Sequence, residues 1–300
     1  MSAACPICDG SDARPLFSRP PDHDPSGRIF SLLRCDSCGV ERLDPLPTED
    51  ELDAAYGADY YARHSPDSGL AGGLRKMAWA AEIRKLIPYL KPGSEVLEVG
   101  CGTGELLASI RRRYACAVTG VERSKAAIEA TRSKGIDVHE GSLEDAPFGE
   151  GRFDAILMRH VLEHVPSPRN LLDFAKRLLS PRGVLLITIP VTEGWDQRMF
   201  GELWDGYQVP VHLYHFPPRS LERLLSDTGF VVRGRTHSLV PNPFITGARR
   251  RMEERGYSRL ARAATIKNPV ALTLALPFGV AAGIARRSGR LTLIAAPRRA

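Results

Sequence analysis

From Glu95 onward, short apolar runs alternate with stretches whose apolar residues recur at helical spacing. Val96–Val99, Ala117–Glu122, Ile136–His139, Phe153–Met158 and Val184–Pro190 are bounded by turn residues and read as strands. Their largely unbroken apolarity suits a sheet buried on both faces. Between them, Glu105–Ile110 and Asn170–Leu179 read as amphipathic helices, the second closed by the turn Ser180-Pro181-Arg182-Gly183. A helix from Ser220 to Ser226 precedes a sixth strand that starts in Thr228–Val232, and Leu291–Ala295 gives a seventh. The pattern predicts an α/β fold, a mostly parallel sheet with helices on both faces.

Outside this core the pattern changes. Thr48-Glu49-Asp50-Glu51-Leu52 carries a helix start with a capping-type Thr, and residues 74–90 predict another helix. Between them Tyr56, Tyr60 and Tyr61 lead into a Ser-, Gly- and Asp-rich stretch from Asp59 to Gly73, read as a linker or a lid. The expected division is 1–66, 67–240, a helical insertion over 241–289, and a last strand with its tail over 290–300. Within the insertion, Asn268–Ala285 is free of charge, but Pro277 and the glycines predict a broken helix.

Charge is unevenly spread over the 300 residues. Residues 241–300 hold twelve Lys/Arg against two Asp/Glu, whereas residues 1–66 hold six Arg against twelve Asp/Glu. The acidic N-terminal part argues against a grip on nucleic acid there. The basic, apolar insertion has three open readings: an anionic membrane surface met by residues 249–287, buried packing or a dimer contact, and a cover for an acceptor. The start Met1-Ser2-Ala3-Ala4-Cys5-Pro6 lacks the apolar core of a secretion signal, so a cytoplasmic protein is expected, with the inner membrane face as a variant.

Reduced cysteines follow from that setting. Cys5-Pro6-Ile7-Cys8 and Cys35-Asp36-Ser37-Cys38 form two C-x-x-C knuckles, a donor set suited to one tetrahedral structural zinc in a small ribbon. Rubredoxin-like iron and a redox dithiol are the alternatives. Cys101 and Cys116 fall outside this spacing.

Val96-Leu97-Glu98-Val99-Gly100-Cys101-Gly102-Thr103-Gly104 joins a strand to a helix through three alternate glycines, with an acid two residues ahead. This E-x-G-x-G-x-G run departs from the dinucleotide pattern. It resembles the first motif of class I S-adenosylmethionine (SAM) methyltransferases, over about residues 80–240 and the last strand. The resemblance implies their Rossmann-like seven-stranded sheet and a SAM site. Glu98, Gly100, Cys101, Gly102, Thr103 and Gly104 would form its loop, and Glu122 with Arg123, after the second strand, would meet the ribose. Ser142, Leu143 and Asp145 occupy the loop that faces adenine in that family, and Arg159 stands at the pocket edge.

His160-Val161-Leu162-Glu163-His164 follows the fourth strand, where the family usually faces its acceptor, and His212-Leu213-Tyr214-His215-Phe216 follows the fifth. A histidine of these groups could act as general base, with Glu163 to orient or strengthen it, and His164 or His215 is the expected one. Trp195, Phe200, Trp204 and Tyr207 between them suit an acceptor wall or core packing equally. The paired knuckles and the His-Leu-Tyr-His-Phe segment resemble a bacterial subgroup of sugar, glycan or small-molecule methyltransferases. That resemblance implies methylation of a hydroxyl or carbon. His160-x-x-Glu163-His164 also resembles, imperfectly, the E-x-x-E-H of magnesium-dependent O-methyltransferases, with His160 in place of the first acid. A ribosomal-RNA methyltransferase and a non-catalytic SAM-fold binding protein are the competing readings.

Overall fold

The computed structural model describes residues 4–19, 28–55, 73, 80–81 and 83–298. Its contacts form two compact units, each assembled from separate stretches: Met1–Gly73, Pro190–Leu221 and Thr236–Leu291 in the first, Leu74–Ile189, Glu222–Arg235 and Thr292–Ala300 in the second.

In the first unit, β1 (Ala13–Arg19), β2 (Phe30–Cys35) and β3 (Glu41–Asp44) form an antiparallel meander. Its fourth strand comes from far along the chain: β9 (Tyr214–His215) pairs with β3, placing His215 opposite Glu41. The histidine segment read as a site element therefore also completes this small sheet. Helix α1 (Glu49–Ala55) begins with a reciprocal cap, in which Thr48 N donates to Glu51 Oε2 at 2.8 Å and Glu51 N to Thr48 Oγ1 at 3.3 Å.

The second unit is built on the seven-stranded sheet, whose remaining strands are β4 (Glu95–Val99), β5 (Ala117–Glu122), β6 (Asp137–Glu140), β7 (Phe153–Arg159), β8 (Leu179–Pro190), β10 (Phe230–His237) and β11 (Arg290–Pro297). Their order is β10-β11-β8-β7-β4-β5-β6. The pairs β5/β6, β4/β5, β4/β7 and β7/β8 are parallel. At the other edge, Ser238 N donates to Arg290 O and Arg298 N to Gly229 O, so β10 and β11 run antiparallel and the sheet is mixed. The helices α2 (Glu105–Tyr114), α3 (Lys125–Arg132) and α4 (Pro168–Leu178) cover the parallel strands. Leu106, Leu107 and Ile110 of α2 pack with Val96, Val118, Ala155 and Leu186 in one core.

Two expectations are corrected. The expected turn Ser180–Gly183 is part of β8, which starts at Leu179 opposite Phe153 and meets a register irregularity before Ala155. After β8, Trp195–Phe200 forms helix α5. The insertion folds as α6 (Pro218–Asp227) and β10 are left behind into α7 (Asn242–Glu254), α8 (Ser258–Ala263) and α9 (Pro269–Ile284), and α9 runs unbroken through Pro277. Pro277, which cannot donate to the Thr273 carbonyl, and Thr273 are both exposed. The glycines of α9 serve close packing: a Cβ on Gly279 would lie 2.9 Å from Leu239 O.

Of the expected helix over 74–90, residues 80, 81 and 83–86 are helical and Ile87–Tyr89 forms a 3-10 turn. Tyr56, Tyr60, Tyr61 and the Asp59–Gly73 stretch, Gly73 excepted, lie outside the described residues.

Candidate functional site

At the C-terminal end of β4 the chain turns through Gly100, Gly102 and Gly104, with φ of +65°, +53° and +70°. All three occupy the left-handed region that glycine enters without strain. Two of them are also packed from outside, since an added Cβ would meet Val161 Cγ2 at 2.9 Å on Gly100 and Thr131 Cγ2 at 2.9 Å on Gly104. Gly102 differs, because among the described residues beyond its chain neighbours its added Cβ would meet nothing within 4 Å. The loop is thus held on both sides and open at its middle glycine, the place where a ligand can come closest to backbone.

Hydrogen bonds fix this shape. Gly100 N donates to Val121 O at 2.8 Å, Thr131 Oγ1 to Gly102 O at 2.8 Å and Lys134 Nζ to Thr103 O at 2.8 Å. Glu122, at the end of β5, accepts from Gly102 N at 2.8 Å, Arg123 N at 2.8 Å and Ser124 N at 3.0 Å. A carboxylate offers about four acceptor positions, so Glu122 keeps capacity for a ligand hydroxyl. Buried Glu98 lies beside Arg159, Oε1 to Nη1 at 3.8 Å. Burial and the charges of Glu98 and Glu122 push the Cys101 thiol up, so it stays protonated and packs where Gly120 leaves room. In the expected adenine loop, Ser142 Oγ donates to Asp145 Oδ2 at 2.6 Å while Leu143 is buried.

The turn after β7 lies against this loop through Val161. His160 has φ +54° and donates its N–H to Thr188 O at 2.7 Å, which holds the residue at the strand end. Its Nδ1 lies 3.1 Å from Oε1 of the fully buried Glu163. With Glu163 ionised, Nδ1 is the donor of this pair. His164 N closes the turn on Val161 O at 2.9 Å. The second unit therefore brings together Glu98, the glycine loop, Glu122, Arg159, His160, Glu163 and His164.

His212 and His215 belong to the first unit. His212 Nδ1 lies 2.7 Å from Gly206 O, and His215 Nε2 lies 3.0 Å from Tyr207 O. Burial brings the His215 pKa down to about 4 from 6.5. The unfolded chain then binds a proton below pH 6.5 that the native ring refuses until pH 4, so this contribution is complete above 6.5 and is lost on acidification. Wild type is expected to lose about 2 kcal/mol more than His215→Gln between pH 7 and 5, read from urea midpoints. Equal losses would count against it.

The aromatic stretch is mostly core. Trp204 Nε1 donates to Asp196 Oδ2 at 2.7 Å, and Asp196 Oδ1 accepts from Gly289 N at 2.8 Å. Tyr207 donates to buried Glu41 at 3.0 Å and accepts from Gln197 Nε2 at 3.0 Å. Phe200 packs with Phe244 and Ala282, whereas Trp195 is exposed.

The four cysteines also meet in the first unit. Cys5 and Cys38 sulfurs are 3.8 Å apart, Cys8 and Cys35 3.6 Å, and all four lie within 4.8 Å of one another. The two knuckles repeat one backbone pattern. Asp9 N donates to Cys5 O and Gly39 N to Cys35 O, while Cys5 N and Cys35 N donate to Gly10 O and Val40 O. Asp9 and Gly39 both have positive φ.

Residues 73–233, more than half of the chain, match the methyltransferase-domain family. The chain belongs to this family. Its domain is a SAM-dependent methyltransferase domain, and the glycine loop and the β7 turn fall inside the matched stretch. Curated relatives include the ubiquinone biosynthesis O-methyltransferases of Alkalilimnicola ehrlichii, 35% identical over 103 residues, and Pasteurella multocida, 34% over 112 residues. The matches take up 32% of this chain in both cases, and 41% and 46% of those proteins, so the chain spans less than half of their length. Among solved structures, the cyclase SpnF superposes with a TM-score of 0.56 and 20% identity, covering 85% of this chain and 99% of that one. A geranyl diphosphate methyltransferase in complex with SAM gives 0.52 and 19%, covering 82% and 94%. These likenesses show the fold.

Glu41, Asp196 and Gln197 escaped the sequence reading. Glu41 stands beside Arg42, and Asp196 and Gln197 adjoin Arg198, and no local spacing marks any of them as the partner of Tyr207 or Trp204.

Proposed function

We propose that the protein transfers the methyl group of SAM to a hydroxyl or carbon of a small-molecule, sugar or glycan-type acceptor, with His160 as general base. The observation that carries this reading is the β7 turn packed on the glycine loop, which puts the His160–Glu163 pair beside the residues suited to the cofactor. The cofactor fits the residues present: the open side of Gly102 admits a close ligand, and Glu122 retains acceptor capacity for ribose. Bound there, SAM supplies an electrophilic methyl on a sulfonium.

The chain's own work is then positioning and deprotonation. Glu163 accepts from Nδ1, fixes the tautomer and favours the imidazolium that forms when Nε2 takes the acceptor's proton. Burial and its bond to Tyr207 give His215 a packing role, and His164 remains the alternative base. A hydroxyl acceptor is favoured over carbon by the relatives named as O-methyltransferases.

The four-cysteine cluster is proposed as a structural zinc site. Metal–sulfur bonds of about 2.3 Å at tetrahedral angles give sulfur–sulfur edges of about 3.8 Å, close to the 3.6 and 3.8 Å here. Without a cation such crowding does not admit four thiolates, since like charges at this distance repel.

Turnover of methyl-labelled SAM against a panel of phenolic, sugar and enolic acceptors tests the reading. With an active acceptor, His160→Ala is expected to lower kcat by about a hundredfold or more, with SAM affinity unchanged by calorimetry. Glu163→Gln is expected to lower kcat less and to shift the pH profile. Full activity in His160→Ala would remove it from the base role.

A further inference from the structure

We propose that the exposed face of α9 is a docking surface for an anionic lipid bilayer. Along this helix Val270, Leu274, Pro277, Ala281 and Ile284 recur at alternating steps of four and three, and all are exposed. That spacing places them on one side. Val270, Leu274, Phe278 and Ile284 are 64%, 68%, 53% and 74% exposed. Among the described residues, seven of the fifteen exposed large hydrophobic side chains lie between Tyr257 and Ile284, a concentration that scattered surface apolar residues do not produce.

Packing sets the orientation. The opposite side of the helix carries Gly279, Ala282 and Gly283, all buried. A Cβ on Gly283 would lie 2.3 Å from Leu239 Cδ2, and one on Gly279 2.9 Å from Pro241 N. The small-residue side fits against that backbone, so Val270, Leu274 and Ile284 face outward, while half-exposed Phe278 also meets the Phe244 ring at 6.0 Å. The helix cannot turn them inward without losing this contact.

Charge selects the occupant. From Arg255 to Ala300 the chain has nine Lys/Arg and no Asp/Glu. Arg259 and Arg262 lie on α8, Lys267 just before α9 and Arg286 and Arg287 just after it, and all are exposed. A second copy brought face to face would oppose one such basic set with another. An anionic bilayer accepts both features, taking the apolar face below the headgroups and the cations among them. Among the described residues no helix is long and apolar enough to cross a membrane, so the contact is peripheral.

Flotation of the full chain with vesicles tests this, using phosphatidylcholine alone and an equal mixture with phosphatidylglycerol. Wild type is expected to float with the mixed vesicles and not with phosphatidylcholine alone, and to be released by salt. Leu274→Glu/Ile284→Glu and Arg286→Glu/Arg287→Glu are each expected to reduce binding by about tenfold or more, with unchanged SAM affinity and melting temperature as the check on folding. Absence of flotation with mixed vesicles, or equal flotation of the variants, overturns the proposal. So does a wild-type dimer in solution that Leu274→Glu/Ile284→Glu converts to monomer, which would assign the face to a second copy.

Discussion

Gly102→Ala is expected to bind SAM about a hundredfold more weakly, a loss of about 2.7 kcal/mol, while the fold loses only about 1–2 kcal/mol from the left-handed backbone. The two effects separate because, among the described residues beyond its chain neighbours, nothing lies within 4 Å of the added methyl, so its cost falls on the ligand and not on packing. The neighbouring glycines are expected to behave in the opposite proportion. Gly100→Ala drives a methyl against Val161 and Gly104→Ala against Thr131, each at 2.9 Å, in addition to positive φ. Their melting temperatures should fall further than that of Gly102→Ala. Displacement of Thr131 also endangers its bond to Gly102 O. Calorimetric titration with SAM and thermal unfolding of the three variants give the comparison. Unchanged affinity in Gly102→Ala would mean that the cofactor does not approach the loop from its open side.

Cys35→Ser is expected to take the bound zinc from one ion per chain to nearly none and to unfold the four-stranded sheet. Structural zinc contributes roughly 10 kcal/mol or more to small domains of this kind, and one lost thiolate breaks the closed set. Cys35 is fully buried at the end of β2, opposite Ala13, so the damage enters the sheet directly. Through β3 it reaches β9, and exchange protection should drop at Glu41, Arg42 and Tyr214 as well as in the knuckles. Elemental analysis and hydrogen exchange on purified protein give both readouts. Cys116→Ala is the matched control, because its sulfur is outside the cluster and zinc should be retained. A wild-type protein that holds iron, visible by its thiolate absorption, would change the metal. One that holds no metal would overturn the site.

Much of the fold was legible because strand and loop signals are local. The five central strands are short apolar runs with turn residues at their ends, and their observed limits differ from the reading by a few residues. The largest difference is β8, where Pro181 and Gly183 look like a turn but lie in the paired strand. The glycine loop was legible for the same reason: alternate glycines ahead of a helix demand unusual backbone, and all three have it. The paired knuckles also announce themselves by spacing, and their sulfurs converge. The candidate base was less legible. Several histidines satisfied the spacing argument, and only burial and partners distinguish His160 on Glu163 from His215 buried against Tyr207.

The sequence by itself determined the conformations that depend on near neighbours: the strands, the caps, the left-handed glycines and the two-cysteine turns. These follow from sterics and hydrogen bonds within a few residues, which the order of side chains already specifies. Tertiary structure alone decided that Tyr214 and His215 pair with Arg42 and Glu41, turning an expected site segment into a strand of the cysteine sheet. It alone decided which side of α9 is buried, for a helix apolar all round has no preferred face until Gly279 and Gly283 meet Leu239. Both outcomes depend on which surfaces distant segments offer one another, and no local pattern encodes that.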